Sequence, residues 1–269
     1  MKIGVVGCAG RMGRMLIAEV LRAKGAKLGG GTELAKSPLI GTDLGILVGQ
    51  KAAGVKVTSD AKALFESCDA VIDFTAPAAT LAHADLAAKF GTALIVGTTG
   101  LPASAKAKLK TSAKKTVIVQ APNMSTGVNV LLALTEKLAG VLADDYDIEI
   151  VEMHHRMKVD APSGTALLLG EAAAAGRNIP LDDAHSVRVR DGHTGAREPG
   201  TIGFATLRGG SVVGDHSVIF AGASERITLS HHAENREIFA RGAVRAALWG
   251  HGRKPGLYSM MDVLGLDDI

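Results

Sequence analysis

The stretch Lys2-Ile3-Gly4-Val5-Val6-Gly7-Cys8-Ala9-Gly10-Arg11-Met12-Gly13 decides the fold of this chain. Its first part, from Lys2 to Val6, is a short apolar run that predicts a strand. The residues from 14 to 23 carry apolar side chains at helical spacing and predict a helix. Between the two lies the spacing Gly7-x-x-Gly10-x-x-Gly13. A strand, a glycine turn and a helix in this order predict the first unit of a dinucleotide-binding fold.

Each glycine of this turn has its own physical reason. Gly7 allows the sharp turn off the strand, Gly10 lets the backbone approach a pyrophosphate, and Gly13 lets helix and strand pack closely. The phosphates would lie at the helix N-terminus, where free N–H groups and the helix dipole favour anions. A turn that serves only tight packing is the alternative. The strand before the turn and the helix after it favour the nucleotide.

Glu33 follows a weaker predicted strand at 26–32 and lies 20 residues past Gly13. A carboxylate at this position accepts a hydrogen bond from the ribose 2′-hydroxyl and repels a 2′-phosphate, which favours NAD over NADP. A solvated acid at a strand end is the alternative. Arg11 and Lys36 could supply positive charge nearby, so NADH and NADPH both stay open as cofactors.

Strand and helix patterns alternate along the rest of the first half. Strands are predicted at 70–74, 93–96 and 116–119, helices at 78–90 and 102–114, and a glycine-rich loop at 37–54. This alternation implies a parallel sheet that is covered on both faces. Gly97-Thr98-Thr99-Gly100 and Ala121-Pro122-Asn123-Met124 each follow a predicted strand, where such sheets bind ligands. The alternative for both is an ordinary strand-to-helix turn.

The pattern changes after Met124. A helix is predicted at 127–143, an alternating strand at 147–153, and strand-like pieces at 186–190, 200–208, 211–220 and 225–230. Turn glycines separate these pieces and predict antiparallel connections. A helical tail follows at 233–249, and its pattern does not say which domain it joins. The predicted fold class is α/β, with a Rossmann-like N-terminal dinucleotide-binding domain and an α+β C-terminal domain.

The run His154-His155-Arg156-Met157-Lys158-Val159-Asp160-Ala161 concentrates imidazoles and cations in one segment. If the preceding strand continues to His155, then His154 and His155 point to opposite sides. No Cys or third ligand stands at short spacing, so a metal site is not expected. His154 can exchange protons near neutral pH, and Lys158 can pair with a carboxylate or deliver a proton. The segment therefore predicts a site for an anionic substrate.

Directly after this run, Pro162-Ser163-Gly164-Thr165 predicts the start of a helix that continues through 166–175. The unpaired N–H groups of a helix start, with the hydroxyls of Ser163 and Thr165, would receive a carboxylate. The alternative is simple helix capping by Ser163, which uses the same groups structurally.

Composition excludes several classes of protein. The net charge of +3 arises from 30 basic and 27 acidic residues mixed along the chain, so no basic tract for nucleic acid is present. Two cysteines are too few for a disulfide framework, which favours a reducing cytoplasm. No apolar run approaches the ~18 residues that a membrane span needs, and no secretory leader is expected.

These motifs together carry a resemblance that spans almost the whole chain. The chain resembles the 4-hydroxy-tetrahydrodipicolinate reductases, also called dihydrodipicolinate reductases, of bacterial lysine and diaminopimelate biosynthesis. The matching pieces are residues 7–14, 73–75, 97–100, 121–125, 127–129, 152–166, 195–197, 208–210 and 213–216.

The resemblance implies a reaction and a set of site residues. The reaction is NAD(P)H-dependent reduction of 4-hydroxy-tetrahydrodipicolinate, via dihydrodipicolinate, to tetrahydrodipicolinate. The nucleotide would be held by Gly7, Cys8, Ala9, Gly10, Arg11, Met12, Glu33, Gly97, Thr98, Thr99, Ala121, Pro122, Asn123 and Met124. His154 would be the proton donor or acceptor and Lys158 the proton donor. His155, Gly164 and Thr165 would bind the carboxylates of the substrate.

The resemblance also implies an architecture. Residues 1–125 would bind the dinucleotide and residues 126–235 the substrate, with 236–269 returning to the first domain and a homotetramer built through the second. Closure of the two domains is expected to unite their sites.

One departure bears on the cofactor, because Leu34 stands where some family members carry an arginine that meets a 2′-phosphate. A different reductase or amino-acid dehydrogenase is the first alternative. A nucleotide sensor, the second, would be expected to lose Lys158 or His154.

Overall fold

The computed structural model describes residues 1–142 and 144–266, and the chain divides into two compact units. Unit 1 consists of Met1–Thr126 and Glu237–Gly265, and unit 2 is built around Gly127–Arg236. Each unit has a sheet of its own.

The elements are numbered in chain order. The strands are β1 (Lys2–Val6), β2 (Lys27–Thr32), β3 (Val57–Thr58), β4 (Ala70–Asp73), β5 (Ala93–Val96), β6 (Val117–Gln120), β7 (Asp147–His154), β8 (Ser186–Val187), β9 (Ile202–Arg208), β10 (Gly214–Ala221), β11 (Arg226–Ala233) and β12 (Gly256–Tyr258). The helices are α1 (Arg11–Arg22), α2 (Leu44–Leu47), α3 (Ala61–Ser67), α4 (Pro77–Phe90), α5 (Ala103–Ser112), α6 (Thr126–Val141), α7 (Gly164–Gly176), α8 (Glu237–Gly250) and α9 (Met260–Leu264).

Unit 1 contains a parallel sheet in the order β12-β6-β5-β4-β1-β2-β3. From β1 the chain runs to β2 and β3 on one side and then to β4, β5 and β6 on the other. The strand order therefore reverses between β1 and β4, and ligands of such sheets bind outside the carboxyl ends of the strands at this point. The glycine turn follows β1 and lies at that edge.

Both faces of this sheet are covered, as the alternating sequence predicted. Ile72 and Ile95 belong to one apolar cluster, whereas their neighbours Val71 and Leu94 belong to another. Successive residues of a strand point to opposite faces, so the two clusters lie on the two sides of the sheet. The Rossmann-like parallel sheet of the prediction is confirmed.

Unit 2 contains a mixed sheet in the order β11-β10-β7-β9-β8. Strand β10 is antiparallel to both β7 and β11, but β9 is parallel to β7 and to β8. The prediction of antiparallel connections was wrong for these parallel pairs. Between β7 and β9 the chain passes through α7 and a long loop, and such a crossover brings a strand back in the same direction. The α+β class of this unit is confirmed.

Some boundaries also differ from the prediction. The first helix begins at Arg11, and the loop at 37–54 contains α2, whose start is capped by the Asp43 side chain. The strand predicted at 186–190 is only Ser186–Val187. The last residue of the helix predicted at 127–143, Ala143, lies outside the described residues. Among the described residues, no helix has the length and apolar character needed to cross a membrane.

Candidate functional site

Two glycines at the turn after β1, Gly7 and Gly13, stand where a larger residue would be strained. Gly7 adopts a positive φ of 64°, a conformation that favours glycine. A Cβ atom on Gly13 would lie 2.2 Å from the Gly7 carbonyl oxygen and 2.7 Å from the backbone of Cys8. The first turn of α1 therefore packs directly against the backbone of the turn, which is the role predicted for Gly13.

The start of α1 has the features of an anion site. Gly10 is the N-cap residue and provides no side-chain hydrogen bond to the helix. Helix N-termini without such a cap present N–H groups and the positive end of the dipole to a ligand. A Cβ atom on Gly10 would meet only the Gly7 carbonyl oxygen, at 3.3 Å. The space over the turn therefore fits a pyrophosphate, and the residues of the turn fit a dinucleotide cofactor.

Glu33 lies against the glycine turn. Its Oε1 accepts a hydrogen bond of 2.8 Å from the Ala9 N–H, and its Oε2 accepts one of 3.3 Å from the Leu34 N–H. The carboxylate is thus held beside the turn rather than only solvated. Arg11 and Lys36 are exposed, and Leu34 is 80% exposed.

The thiol of Cys8 does not reach the surface of the glycine turn. The side chain is fully buried in the apolar core of unit 1. Burial, with the nearby Glu33 carboxylate, raises the pKa of the Cys8 thiol to about 12. The thiol therefore stays protonated. The Cys8 N–H donates to the Thr32 carbonyl at 3.1 Å, and the place of this residue at the nucleotide stays a prediction.

The two loops after β5 and β6 end at the same edge of the sheet as the glycine turn. A Cβ on Gly97 would lie 2.3 Å from the Phe74 ring, so only glycine fits there. Thr98 is buried, whereas Thr99 is exposed. The Ala121 N–H donates to the Val96 carbonyl at 3.2 Å, which joins the two loops.

The loop at 121–124 combines buried and accessible residues. Ala121 and Met124 are buried, Pro122 is exposed, and the Asn123 side chain accepts a hydrogen bond from the Ser125 N–H at 2.9 Å. The predicted nucleotide residues of unit 1 thus lie after β1, β2, β5 and β6 or at the start of α1, at the carboxyl edge of the parallel sheet.

A buried carboxylate that the sequence reasoning gave no role connects these loops. Asp73 is fully buried, and its Oδ1 accepts hydrogen bonds from the Thr75 N–H at 2.9 Å and the Thr98 hydroxyl at 3.2 Å. Its Oδ2 lies 2.8 Å from Nδ1 of His83. Burial alone would raise the pKa of Asp73, but hydrogen bonds from His83 and Thr75 outweigh it and lower the pKa. No sequence pattern joins residues that lie on β4 and α4.

In unit 2 the predicted acid–base residue lies at the end of β7. His154 is 8% exposed, and its Nδ1 lies 2.6 Å from Oε2 of Glu152, which is 1% exposed. Burial lowers the pKa of His154, and the Glu152 carboxylate opposes this effect without cancelling it. Strand alternation places these two side chains on the same face, because they are two residues apart.

The segment after β7 carries the predicted cations. Nζ of Lys158 lies 2.9 Å from Oδ1 of Asp160. His155 lies beyond the end of the strand and its N–H donates to the Val212 carbonyl at 2.8 Å. Strand alternation therefore ends at His154 and does not determine where the His155 side chain points. The two residues still differ in burial, because His155 is partly exposed.

Helix α7 begins at the position predicted for carboxylate capture. The Ser163 hydroxyl accepts from the Ala166 N–H at 3.1 Å, and the residue is 1% exposed. Its side chain thus performs the capping that was the alternative interpretation. Gly164 and Thr165 follow at the helix start, and nothing lies within 4 Å of a Cβ built on Gly164.

Two further residues of this region were missed as site residues. Arg208 donates to both oxygens of Glu152, at 2.7 Å and 2.8 Å. His216 lies 3.1 Å from the Ser163 hydroxyl and packs edge-on against His154 at 5.1 Å between ring centroids. Burial, with the neighbouring His154, lowers the pKa of His216 to about 4. Among residues 1–142 and 144–266 no group of three or more His, Cys, Asp and Glu side chains is placed to hold a metal ion.

The doubly wound parallel sheet, its glycine turn and the separate mixed sheet define a protein of the two-domain class with a Rossmann-like nucleotide-binding fold. The family described as "Dihydrodipicolinate reductase, N-terminus" matches residues 1–124, and "Dihydrodipicolinate reductase, C-terminus" matches residues 127–264. The chain belongs to the dihydrodipicolinate reductase family.

Individual relatives agree with this family. The chain is 59% identical to the 4-hydroxy-tetrahydrodipicolinate reductase of Methylocella silvestris, over 100% of this chain and 98% of the relative. It is 58% identical to the protein of that name from Brucella abortus, over 99% and 100%. A solved dipicolinate-bound dihydrodipicolinate reductase from Paenisporosarcina sp. TG-14 has a TM-score of 0.76 at 23% identity, covering 97% of this chain and 98% of that one. This last likeness supports the fold.

Proposed function

We propose that this chain reduces 4-hydroxy-tetrahydrodipicolinate, via dihydrodipicolinate, to tetrahydrodipicolinate with a reduced nicotinamide nucleotide, in lysine and diaminopimelate biosynthesis. The observation that carries the proposal is identity of 55–59% over nearly the full length to relatives that bear this name. The site chemistry supports it independently, because a glycine-turn nucleotide site and a cationic helix-start site occur in one chain.

The nucleotide is assigned to unit 1. Its pyrophosphate is proposed to lie over the Gly7–Met12 turn at the start of α1, and Glu33 is proposed to accept from the adenosine ribose. The loops Gly97–Thr99 and Ala121–Met124 follow neighbouring strands and are assigned to the nicotinamide side. When bound, the reduced nucleotide supplies the hydride. Both NADH and NADPH are proposed as donors, because Glu33 favours NADH and the exposed Arg11 and Lys36 supply positive charge.

The dicarboxylate substrate is assigned to the start of α7 and the cations before it. The backbone N–H groups at Gly164 and Thr165 and the positive end of the helix dipole favour a carboxylate. Lys158 and His155 lie in the preceding segment and supply cationic or donor groups for the carboxylates. Ser163 holds the helix start in place, because its hydroxyl caps the helix and its N–H donates to Glu152, so its contribution to substrate binding is proposed to act through this positioning.

His154 and Lys158 are assigned to proton transfer. Reduction of the conjugated imine adds a hydride and a proton to the ring, and a positioned protein group can supply that proton in the transition state. The Lys158 ammonium is proposed as the donor. His154, whose pKa is lowered by burial, is proposed to exchange protons through its ring.

Steady-state kinetics tests this function directly. The purified chain is mixed with the dipicolinate-pathway substrate and either NADH or NADPH, and oxidation of the nucleotide is followed at the nicotinamide absorbance. Turnover that depends on the substrate is expected with both nucleotides. A chain that binds nucleotide but turns over another imine or keto acid instead would overturn the proposal.

We also propose a homotetramer that works in the cytoplasm. Strand β11 forms an edge of the mixed sheet, and its residues alternate between exposed and half-buried, which leaves a strand edge for another subunit. Both cysteines are free and buried, which suits a reducing compartment. Light scattering of the purified chain is expected to give the mass of four subunits, and a monomer at working concentration would contradict the assembly.

A further inference from the structure

Glu152 is a buried acid that the proposed reaction does not use. It lies on β7, two residues before His154, and its side chain points to the same buried side of the sheet. The residue is 1% exposed. A carboxylate so far removed from water is costly unless other groups compensate its charge.

Three elements of unit 2 supply hydrogen bonds to this carboxylate. Arg208 at the end of β9 donates to both oxygens, the Ser163 N–H before α7 donates to Oε1 at 3.0 Å, and His154 contacts Oε2 at 2.6 Å. A guanidinium and a backbone N–H are donors only. Burial would raise the pKa of Glu152, but the hydrogen bonds from Arg208 and His154 outweigh it and lower the pKa. Glu152 is therefore ionised and can only accept.

An ionised acceptor determines which nitrogen of His154 carries the proton. Nδ1 must donate to Oε2, so in the neutral ring the lone pair lies on Nε2. A Cβ on Gly214 would lie 3.0 Å from this Nε2, so any residue other than glycine at that position would crowd the nitrogen. The reactive nitrogen is thus oriented away from the carboxylate.

We propose that Glu152 is a positioning residue that holds His154 with its proton on Nδ1, leaving Nε2 to exchange a proton with the substrate. The same carboxylate fixes the Ser163 N–H, and so it also links His154 to the start of the carboxylate-binding helix. The catalytic part of this inference rests on the proposed function. The tautomer of the ring does not.

Substitution of Glu152 by Gln is a sharp test, because the variant retains the shape and loses one acceptor. Both partners of Oε1, Arg208 and the Ser163 N–H, can only donate, whereas Oε2 faces Arg208 and His154, and a histidine nitrogen can also accept. The glutamine NH₂ is therefore expected to replace Oε2 and to face Nδ1 of His154. Nδ1 must then accept, and the proton moves to Nε2. The other charged and titratable groups that face His154 are Lys158 from the following segment, Arg208 from β9 and His216 from β10.

The matched control is Glu149→Gln on the same strand. Glu149 also accepts from two arginines, Arg190 and Arg197, at 2.8 to 2.9 Å. It has no histidine partner among these hydrogen bonds. The control therefore neutralises a carboxylate with similar arginine partners without changing the surroundings of His154.

The experiment records ring ¹⁵N NMR spectra of the full chain labelled at histidine, with the His154 signals assigned from their loss in His154→Gln. The wild-type ring is expected to be protonated at Nδ1, and Glu152→Gln is expected to protonate Nε2 and to lower the ring's titration midpoint. In the kinetic assay, kcat of Glu152→Gln is expected to fall roughly 100-fold, with NADH affinity within about twofold of wild type. Glu149→Gln is expected to change neither the ring nor kcat by more than about twofold.

Three outcomes would overturn the proposal: a wild-type ring protonated at Nε2, an unchanged tautomer in Glu152→Gln, or an equal loss of kcat in Glu149→Gln. The first decides the matter even if Glu152→Gln fails to fold, because it needs only the wild-type chain. If the wild type lacks reductase turnover while its ring is protonated at Nδ1, the proposed function fails and the positioning of His154 by Glu152 stands.

Discussion

Replacing Gly13 by alanine is expected to damage the nucleotide site through a single methyl group. The added Cβ would lie 2.2 Å from the Gly7 carbonyl oxygen and 2.7 Å from two backbone atoms of Cys8. Ordinary contact begins at 3.4 Å. The neighbours are backbone and cannot rotate away, so α1 and the turn must separate by about 1 Å.

Two opposing free energies determine the stability of this variant. Overpacking of this kind costs about 3 kcal/mol at the upper end of the usual range. Alanine in place of glycine inside a helix returns about 1 kcal/mol. Urea unfolding is therefore expected to show that Gly13→Ala is less stable than wild type by about 2 kcal/mol. A displacement of the N–H groups by about 1 Å is expected to weaken NADH binding on the order of 100-fold, because such shifts disrupt aligned contacts.

The assay is a fluorescence titration of NADH into wild type, Gly13→Ala and a control, Gly164→Ala. The control adds the same methyl group at a helix start, but nothing lies within 4 Å of it and it belongs to unit 2. Its NADH affinity is expected to equal that of wild type. If Gly13→Ala binds NADH within about twofold of wild type, the close approach of helix and turn is not what builds the nucleotide site.

Three further changes test other parts of the proposal. Lys158→Ala is expected to lower kcat at least 100-fold by removing the proton donor, with NADH affinity unchanged in titration; a large loss of that affinity would contradict the assignment. Leu34→Arg, at an 80% exposed side chain beside Glu33, is expected to tighten NADPH binding about tenfold by meeting the 2′-phosphate; equal affinity in the two proteins would exclude this route to NADPH. His216 has a pKa of about 4, below the ordinary 6.5, so the unfolded chain binds its proton first and stability falls as pH drops through that window. The unfolding free energy lost over this pH range is up to about 3 kcal/mol. Urea unfolding of His216→Asn is expected to show a smaller fall in stability over the same range; an identical pH dependence in the two proteins would contradict this role of His216.

The nucleotide half of the fold could be predicted because its signals are local. The strand, the glycine turn and α1 follow one another within the first 22 residues, and each glycine has a steric reason visible in the spacing. The short elements β3, α2 and α3 were missed because two to seven residues hold too few apolar positions to set a period. Strand β12 was missed for the same reason, although it pairs with β6 in the sheet.

The site was predicted less completely, because its supporting groups are distant in sequence. Glu33 and the segment from His154 to Thr165 were predicted as site residues from spacing and residue type. Asp73 and His83 were not, since their contact depends on the packing of α4 against the end of β4. A buried carboxylate has no sequence signature of its own, and its partners appear only after the chain has folded.

The orientation of β9 explains why Arg208 escaped the sequence reasoning. An antiparallel β9 would begin beside the end of β7, and its last residue would lie at the far end of the sheet from His154. The strands are parallel, with His154 and Arg208 as register partners, so both strands end at the same edge. The guanidinium therefore reaches Glu152, whose side chain shares the face of His154. The choice between two hydrogen-bonding patterns in unit 2 thus decides whether His154, the proposed acid–base residue, has an ionised carboxylate beside it.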